Sequence, residues 1–283
     1  MNYRHAFHAG SFADVLKHVV LVRTILYLLK KDTPFRVIET HAGAGRYDLS
    51  GDRAARTGEW RGGIGRLSEH PLEGEAAALI EPYVSLVRAA NSGDAPKIYP
   101  GSPLIARALL RPQDRMIFCE LHPEERAALM KNTGRDRRAK VVAIDGWAGL
   151  KAFVPPKERR GLVLIDPPFE AADEFARLEA GLQEAHSRWS TGILLAWYPI
   201  KEPRETQAFA RRLSRSGIAK ILRIELAVAA HRSGERLAGC GMIAINPPWI
   251  LEREMSVVLP QLSKLFARQG SGNYRIDLLA GGR

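Results

Sequence analysis

Apolar residues recur along the chain in two rhythms. Val15, Leu16, Val19, Val22, Ile25, Leu26 and Leu29 fall on one face of a helical repeat, which predicts a helix from about Phe12 to Lys31 with Ser11 at its N-cap. Short unbroken apolar runs follow: FRVIET (35–40), MIFCE (116–120), KVVAID (140–145), LVLID (162–166), ILLAWY (193–198) and KILRIELAV (220–228). Each has the length and branched-residue content of a buried strand. Between several of them lie helix-forming stretches, PEERAALMKN (123–132), ADEFARLEAGLQEAH (172–186) and PRETQAFARRLSRS (203–216). This alternation predicts a parallel sheet covered by helices on both faces, the doubly wound α/β layout.

Two places break the rhythm. From about Asp48 to Pro100 no strand run intervenes, while EAAALIEPYVSLVRAA (75–90) is helical in pattern. Residues 48–100 are therefore expected to form a small helical subdomain inserted into a single domain spanning 1–283. GMIAIN (241–246) follows the 220–228 run after a polar, glycine-containing connection too short for a helical crossover. The two are expected to form an antiparallel hairpin, which reverses the final strand of a seven-stranded sheet.

Composition narrows the class of protein. The chain has 283 residues, 46% hydrophobic and 26% charged, within the range of ordinary globular domains. It has neither an apolar run of the roughly 18 residues that a membrane span needs nor the apolar segment and cleavage site of a secretory signal. A cytoplasmic monomer with no membrane partner is expected. Cys119 and Cys240 stand alone, without CxxC or Cys/His spacing, so no disulfide framework or metal site is expected. The formal charge of +11 points to a polyanionic partner. KNTGRDRRAK (131–140), KERR (157–160) and ARRLSRS (210–216) concentrate the cations and are expected to meet phosphates.

In an open parallel sheet, ligands bind beyond the carboxyl ends of the strands. The first predicted strand runs into THAGAGRYD (40–48), where Gly43 and Gly45 allow the backbone to approach a ligand closely. Neither GxGxxG nor GKS/T is present, which counts against a nicotinamide dinucleotide or a nucleoside triphosphate. The second strand ends in Glu120 and the third in Asp145-Gly146. A carboxylate at the second end can accept both ribose hydroxyls, and one at the third can accept from an adenine amino group. Together these features point to a nucleoside cofactor.

The fourth strand stops at Asp166-Pro167-Pro168-Phe169. Proline cannot extend the ladder and fixes its own φ, so the pair makes a rigid turn. The Asp166 carboxylate and the Pro167 carbonyl can accept the two hydrogens of an exocyclic amine, and Phe169 offers a face for stacking a base. This matches the [DNS]-PP-[YFW] pattern of amino-group methyltransferases that use S-adenosylmethionine. Asn246-Pro247-Pro248-Trp249 repeats the pattern, but at the end of a reversed strand it is expected at the opposite edge of the sheet, away from any chemistry.

Taken together, YRHAFHAGSFADVLKH (3–18), ETHAGAGRYDL (39–49), YPGSPLIA (99–106), ELHP (120–123), DG (145–146), LIDPPFE (164–170) and AGCGMIAINPPW (238–249) resemble the bacterial family of 23S rRNA adenine-N6 methyltransferases over nearly the whole chain. The resemblance implies a Rossmann-like S-adenosylmethionine-dependent methyltransferase fold. It implies cofactor contacts from His18, His41, Gly43, Ser102, Glu120, Asp145, Gly146 and Asp166, with Asp166 catalytic and no metal. It also implies that the Tyr3-Arg4-His5 segment lies with Pro167, Pro168 and Phe169 near the target base, and that 23S ribosomal RNA is the partner. Phe169 stands where a Tyr is often found, keeping the stacking face without the hydroxyl, and Arg46 departs from the GxGxG of many methyltransferases. Two other readings stay open on the residues alone: a DNA adenine-N6 methyltransferase, and a non-catalytic RNA-binding protein on the same fold.

Overall fold

A computed structural model describes residues 4–93, 95–230 and 237–280. The chain opens with helix α1 (Phe12–Leu29), whose heptad-like apolar positions are all in the core except at its last turn. Ser11 occupies the N-cap position, but its side chain makes no capping bond. The Asp14 carboxylate instead reaches back one turn and accepts from the Gly10 N–H at 2.9 Å.

Strand β1 (Arg36–Glu39) is followed by β2 (Arg46–Asp48), α2 (Asp52–Thr57), α3 (Ile64–Glu69), α4 (Gly74–Ala89) and β3 (Ile98–Pro100). β2 and β3 pair antiparallel and close the base of the helical insertion, so short strands border a region whose sequence predicts none. Next come α5 (Ser102–Leu109), β4 (Arg115–Cys119), α6 (Pro123–Thr133), β5 (Ala139–Val142), α7 (Gly146–Phe153), β6 (Gly161–Ile165), α8 (Glu174–Arg188), β7 (Ile193–Pro199) and α9 (Pro203–Ser214). β8 (Ile221–Ala227), β9 (Gly239–Ile245), α10 (Leu251–Phe266) and β10 (Asn273–Ala280) complete the chain.

The main sheet has eight strands in the order β10-β8-β9-β7-β6-β1-β4-β5. β5, β4, β1, β6 and β7 are mutually parallel. β9 inserts between β7 and β8, antiparallel to both. The expected hairpin and its reversed strand are therefore present, and the strand count is corrected from seven to eight because β10 adds antiparallel to β8 at the edge. One face of the sheet packs on α1, α5 and α10, with Tyr83 of α4 in the same cluster. The other face packs on α8 and α9, through Phe175, Leu178, Leu182, Phe209 and Leu213. Cys119 and Cys240 are buried free thiols.

At the end of β9, Asn246 adopts φ 51° and its side-chain amide donates to the carbonyls of Ser190 and Gly192 at 2.8 and 2.9 Å. The amide thus ties the end of β9 to the entry of β7. Asn tolerates this left-handed conformation better than most residues. Asn246→Ala should lower unfolding stability by about 1–2 kcal/mol with kcat unchanged; a lowered urea midpoint beside a wild-type turnover rate is the expected pair of results.

Candidate active site

The carboxyl ends of β1, β4, β5 and β6 converge on a cavity with polar and apolar lining. Lys17, His18, His41, Gly43, Ser102, Glu120, Asp145, Gly146 and Asp166 all contribute to its wall. These come from α1, four strand ends and the start of α5, so the topology brings together residues up to 149 positions apart.

The Gly loop after β1 carries positive φ at Gly43 (63°) and Gly45 (74°). A side chain on Gly43 would stand 2.3 Å from the Tyr47 hydroxyl, so the loop closes only with glycine there. The Gly43 N–H donates to Glu120 Oε2 at 2.8 Å and the His122 N–H to Oε1 at 2.7 Å. The two backbone bonds fix the carboxylate plane and leave each oxygen a lone pair. Burial raises the Glu120 pKa, and these two bonds oppose the rise.

Asp145 caps α7: its Oδ1 accepts from the N–H groups of Trp147 and Ala148 at 3.0 and 3.1 Å. A β-carbon on Gly146 would come within 2.5 Å of the His41 ring. His41 itself bonds the Thr40 hydroxyl through Nδ1 at 2.8 Å, and burial drives its pKa down to about 4. His18 is 1% exposed. Its Nδ1 lies 2.8 Å from the Tyr99 hydroxyl, which in turn lies 3.0 Å from that of Tyr83. Burial lowers the His18 pKa to about 3, so the ring is neutral, and Nε2 has no protein partner.

Behind Ser102, whose hydroxyl donates to Glu39 Oε2 at 2.6 Å, Glu39 Oε1 is buried without a partner. Burial raises the Glu39 pKa from 4.5 to about 8. Because the folded value is the higher one, the folded state holds this proton more tightly. That stability is complete below 4.5 and is lost as pH rises through about 8. Glu39→Gln keeps the acceptor for Ser102 without the titration, so its melting temperature should gain on the wild type progressively across this window.

A second cavity adjoins the first, lined by His8, Glu59, Pro167, Phe169, Trp197 and Lys201 among others. The two share His5, Lys17, Asp166 and Pro168. Phe169, at φ 49°, is held edge-on between Phe175 and Trp197, with ring centroids 5.0 and 5.9 Å away. Glu59, from the insertion, meets His8 Nδ1 at 3.1 Å.

At the junction, Lys17 Nζ donates to Asp166 Oδ2 at 2.6 Å and contacts Asp14 Oδ1 at 2.8 Å. His5 Nε2 lies 2.9 Å from Asp14 Oδ2. Burial works against charge on both Lys17 and Asp14, but their mutual attraction wins. Together with Asp166 it holds the Lys17 pKa above its ordinary value, and together with His5 it holds Asp14 well below its own.

The expected residues thus gather at the expected edge, with two exceptions. Arg4 turns to Glu124 and Glu125 at the start of α6 and lines neither cavity, because two carboxylates compete successfully for its guanidinium. Tyr3 lies outside the described residues. His5, from the segment expected near the target base, lines both cavities; sequence reasoning missed Asp14 and assigned no role to Lys17. Their signal was the presence of charges at buried positions of an otherwise apolar helix. Asn246 and Trp249 stand at the opposite edge, as the reversed strand requires.

Five parallel strands, a reversed strand beside the fifth, and a polar cavity over the carboxyl ends define the Rossmann-like methyltransferase fold. A family model described as "Ribosomal RNA large subunit methyltransferase D, RlmJ" matches residues 32–280. The chain is 44% identical over 277 residues to the ribosomal RNA large subunit methyltransferase J of Escherichia coli, covering 98% of each protein. It is 41% identical over 278 residues to the enzyme of the same name from Haemophilus influenzae, again covering 98% of each. A crystal structure of a Legionella pneumophila protein superposes with a TM-score of 0.87 at 37% identity, covering 96% of this chain and 98% of that one. The chain belongs to the ribosomal RNA large subunit methyltransferase J family. No helix among the described residues is long and apolar enough to cross a membrane, and no metal-binding cluster occurs among them.

Proposed function

We propose that the protein transfers a methyl group from S-adenosylmethionine to the exocyclic N6 amine of one adenine in 23S ribosomal RNA, using residues 1–283 as one catalytic domain with about 48–100 inserted as a helical subdomain. The observation that carries this reading is the meeting of two cavities at Asp166 and Lys17: one chamber suits the donor, the other the base, and the motif lies between them.

The donor-side wall fits a nucleoside attached to an amino acid. Glu120, held by two backbone N–H groups, offers both oxygens to the ribose hydroxyls, and Asp145 accepts from the adenine amino group. With Tyr99 donating to Nδ1, His18 presents Nε2–H to the cofactor's polar end. His41, Gly43, Ser102 and Gly146 complete the wall. S-adenosylmethionine supplies an electrophilic sulfonium methyl.

On the acceptor side, Phe169 stacks on the target base while the Asp166 carboxylate and the Pro167 carbonyl accept the two N6 hydrogens. An aryl amine is a weak nucleophile because its lone pair is delocalised into the ring. Two fixed acceptors favour a more tetrahedral nitrogen and aim the lone pair, so orientation and preorganised charge supply most of the acceleration. Lys17 holds Asp166 through Oδ2, leaving Oδ1 for the amine. The proton shed as the new N–C bond forms has Asp166 as its nearest acceptor.

Glu120→Ala should weaken cofactor binding by roughly 1.5–3 kcal/mol, the worth of a charge-assisted hydrogen bond. Equal affinity by calorimetry would remove Glu120 from the site. The function itself is tested by incubating the protein and labelled S-adenosylmethionine with unmodified 23S rRNA, 16S rRNA and duplex DNA, then digesting each to nucleosides. N6-methyladenosine from 23S rRNA alone is expected. Label in DNA alone would make the protein a DNA adenine methyltransferase, and cofactor binding without label in any nucleic acid would favour a non-catalytic role.

A further inference from the structure

Both the basic clusters and the second Pro-Pro-aromatic motif lie far from the two cavities, and the topology places them together. In a parallel sheet all strand starts share one edge. Lys157 and Arg159 enter β6, Arg135 and Arg137 enter β5, and Arg215 and Lys220 lead into β8, so all six cations lie at the edge opposite Asp166. All six are exposed. β9 runs the other way, so its end delivers Trp249 to the same edge, between β7 and β8.

Trp249 is 79% exposed. It follows two prolines and an Asn246 whose amide is bonded to two carbonyls, so an indole is displayed on a fixed support at the solvent boundary. Exposure of so large an apolar ring on an otherwise polar edge favours a stacking partner. The local acids do not neutralise the cations. Asp114, Asp136 and Glu158 are each bound by another arginine, Arg111, Arg138 and Arg36 respectively. Glu252, in the first turn of α10, and Asp32, just before β1 and 3.8 Å from Arg111, add two exposed carboxylates, against six cations. Seven adjacent strands from β8 to β5 span roughly 29 Å at about 4.8 Å per interval.

We propose that this strand-start edge is a second RNA-contacting surface, in which Trp249 stacks on an unpaired base while Lys157, Arg159, Arg215 and Lys220 meet the adjoining phosphates and Arg135 and Arg137 extend the track. Stacking on a displayed aromatic ring beside a row of cations is the chemistry of single-stranded RNA binding. The five residues of β6 separate this edge from Asp166 by roughly 17 Å. A short stem-loop seated over Asp166 lies on the carboxyl-end side of the sheet, whereas a longer RNA with a flanking single strand can also reach the strand-start edge. The identity of the polyanion as RNA rests on the methyltransferase reading; the surface itself does not.

The test uses the full chain carrying Trp249→Ala, and separately Lys157→Gln with Arg159→Gln, Arg215→Gln and Lys220→Gln. All five positions are exposed and outside the cavities. Binding is read by filter retention of a long 23S rRNA fragment, of a minimal stem-loop and of phosphatidylglycerol vesicles, across a salt series. Methylation kinetics are read in parallel. Trp249→Ala should weaken long-RNA binding on the order of tenfold. The quadruple variant should make the slope of log affinity against log salt shallower by roughly 0.7 for each phosphate that is no longer neutralised. Both should raise KM for the long RNA and leave the stem-loop parameters unchanged. Unaltered long-RNA affinity and salt slope would overturn the proposal. So would variants that lose only vesicle binding, which would make the edge a membrane-facing surface. Because retention needs no turnover, loss of RNA binding in the variants would support the surface even if no methyl transfer were detected in any RNA.

Discussion

Asp166→Ala is expected to lower the rate of methyl transfer by about 10²–10³, the cost of removing one preorganised polar group from a transition state, while cofactor affinity changes little. Asp166 Oδ2 is already committed to Lys17 at 2.6 Å, so the other oxygen is the one available to the amine. Removing the carboxylate leaves the Pro167 carbonyl as the motif's single acceptor, and the nitrogen lone pair is no longer fixed toward the methyl. On the proposed reading the cofactor keeps Glu120, Asp145 and the histidines along the rest of the wall. Asp166→Asn should fall less far, because its carboxamide oxygen still accepts a hydrogen even though the Lys17 interaction is weakened. Single-turnover transfer of labelled methyl separates chemistry from binding. A wild-type single-turnover rate for Asp166→Ala would sink the assignment, and a Kd raised in proportion to the reduced rate would make Asp166 a cofactor ligand instead.

The sequence disclosed the strands that read as apolar runs and hid the short and edge strands. β6 and β9 are buried at every position, and such strands read as plain apolar runs. β2 is buried only at Tyr47, and β10 is an edge strand with no fully buried residue. Neither has a period strong enough to stand out, and with the three-residue β3 they are the strands that sequence reasoning leaves unassigned. The KVVAID run is expected to be strand through Asp145, but β5 ends at Val142, because Asp145 is needed as the cap of α7. In the site, DPPF, Glu120 and Asp145 are legible because each follows an apolar run and so must lie at a strand end. Asp14 and Lys17 are not, since charges on a helix are ordinarily solvated. Only the fold shows that this helix has no solvent-facing side at that turn. The basic clusters are legible as cations but not as one surface, because only the strand order places 135, 157 and 220 along a common edge.

Lys17→Met should be the most destabilising of these substitutions, by about 3–5 kcal/mol, the usual cost of stranding a buried charge. Lys17 is 4% exposed and Asp14 2%, and the ammonium is the shared counter-ion of Asp14 and Asp166. Without it the two carboxylates lose their shared counter-ion, and Asp14 keeps His5 and the Gly10 N–H as partners. The pH dependence identifies the cause. In the wild type the folded Asp14 pKa is depressed, so its contribution is present above the ordinary 3.8 and lost as pH falls through the lower folded value. The Lys17 pKa is raised, so its contribution is complete below 10.5 and is lost only as pH rises above the still higher folded value. The triad therefore holds across the whole neutral range. In Lys17→Met the carboxylates prefer to be protonated, which reverses the slope: the variant should approach wild-type stability in acid and fall behind as the pH rises. Urea denaturation at several pH values reads this directly, and a deficit independent of pH would point to impaired packing rather than to the missing charge. Asp14→Asn combined with Lys17→Met removes one of the stranded charges and should recover much of the stability. Transfer should stay slow in the double variant, because nothing then anchors Asp166 Oδ2. Stability regained without activity would separate the part Lys17 plays in holding the fold from its proposed part in positioning Asp166 for the amine.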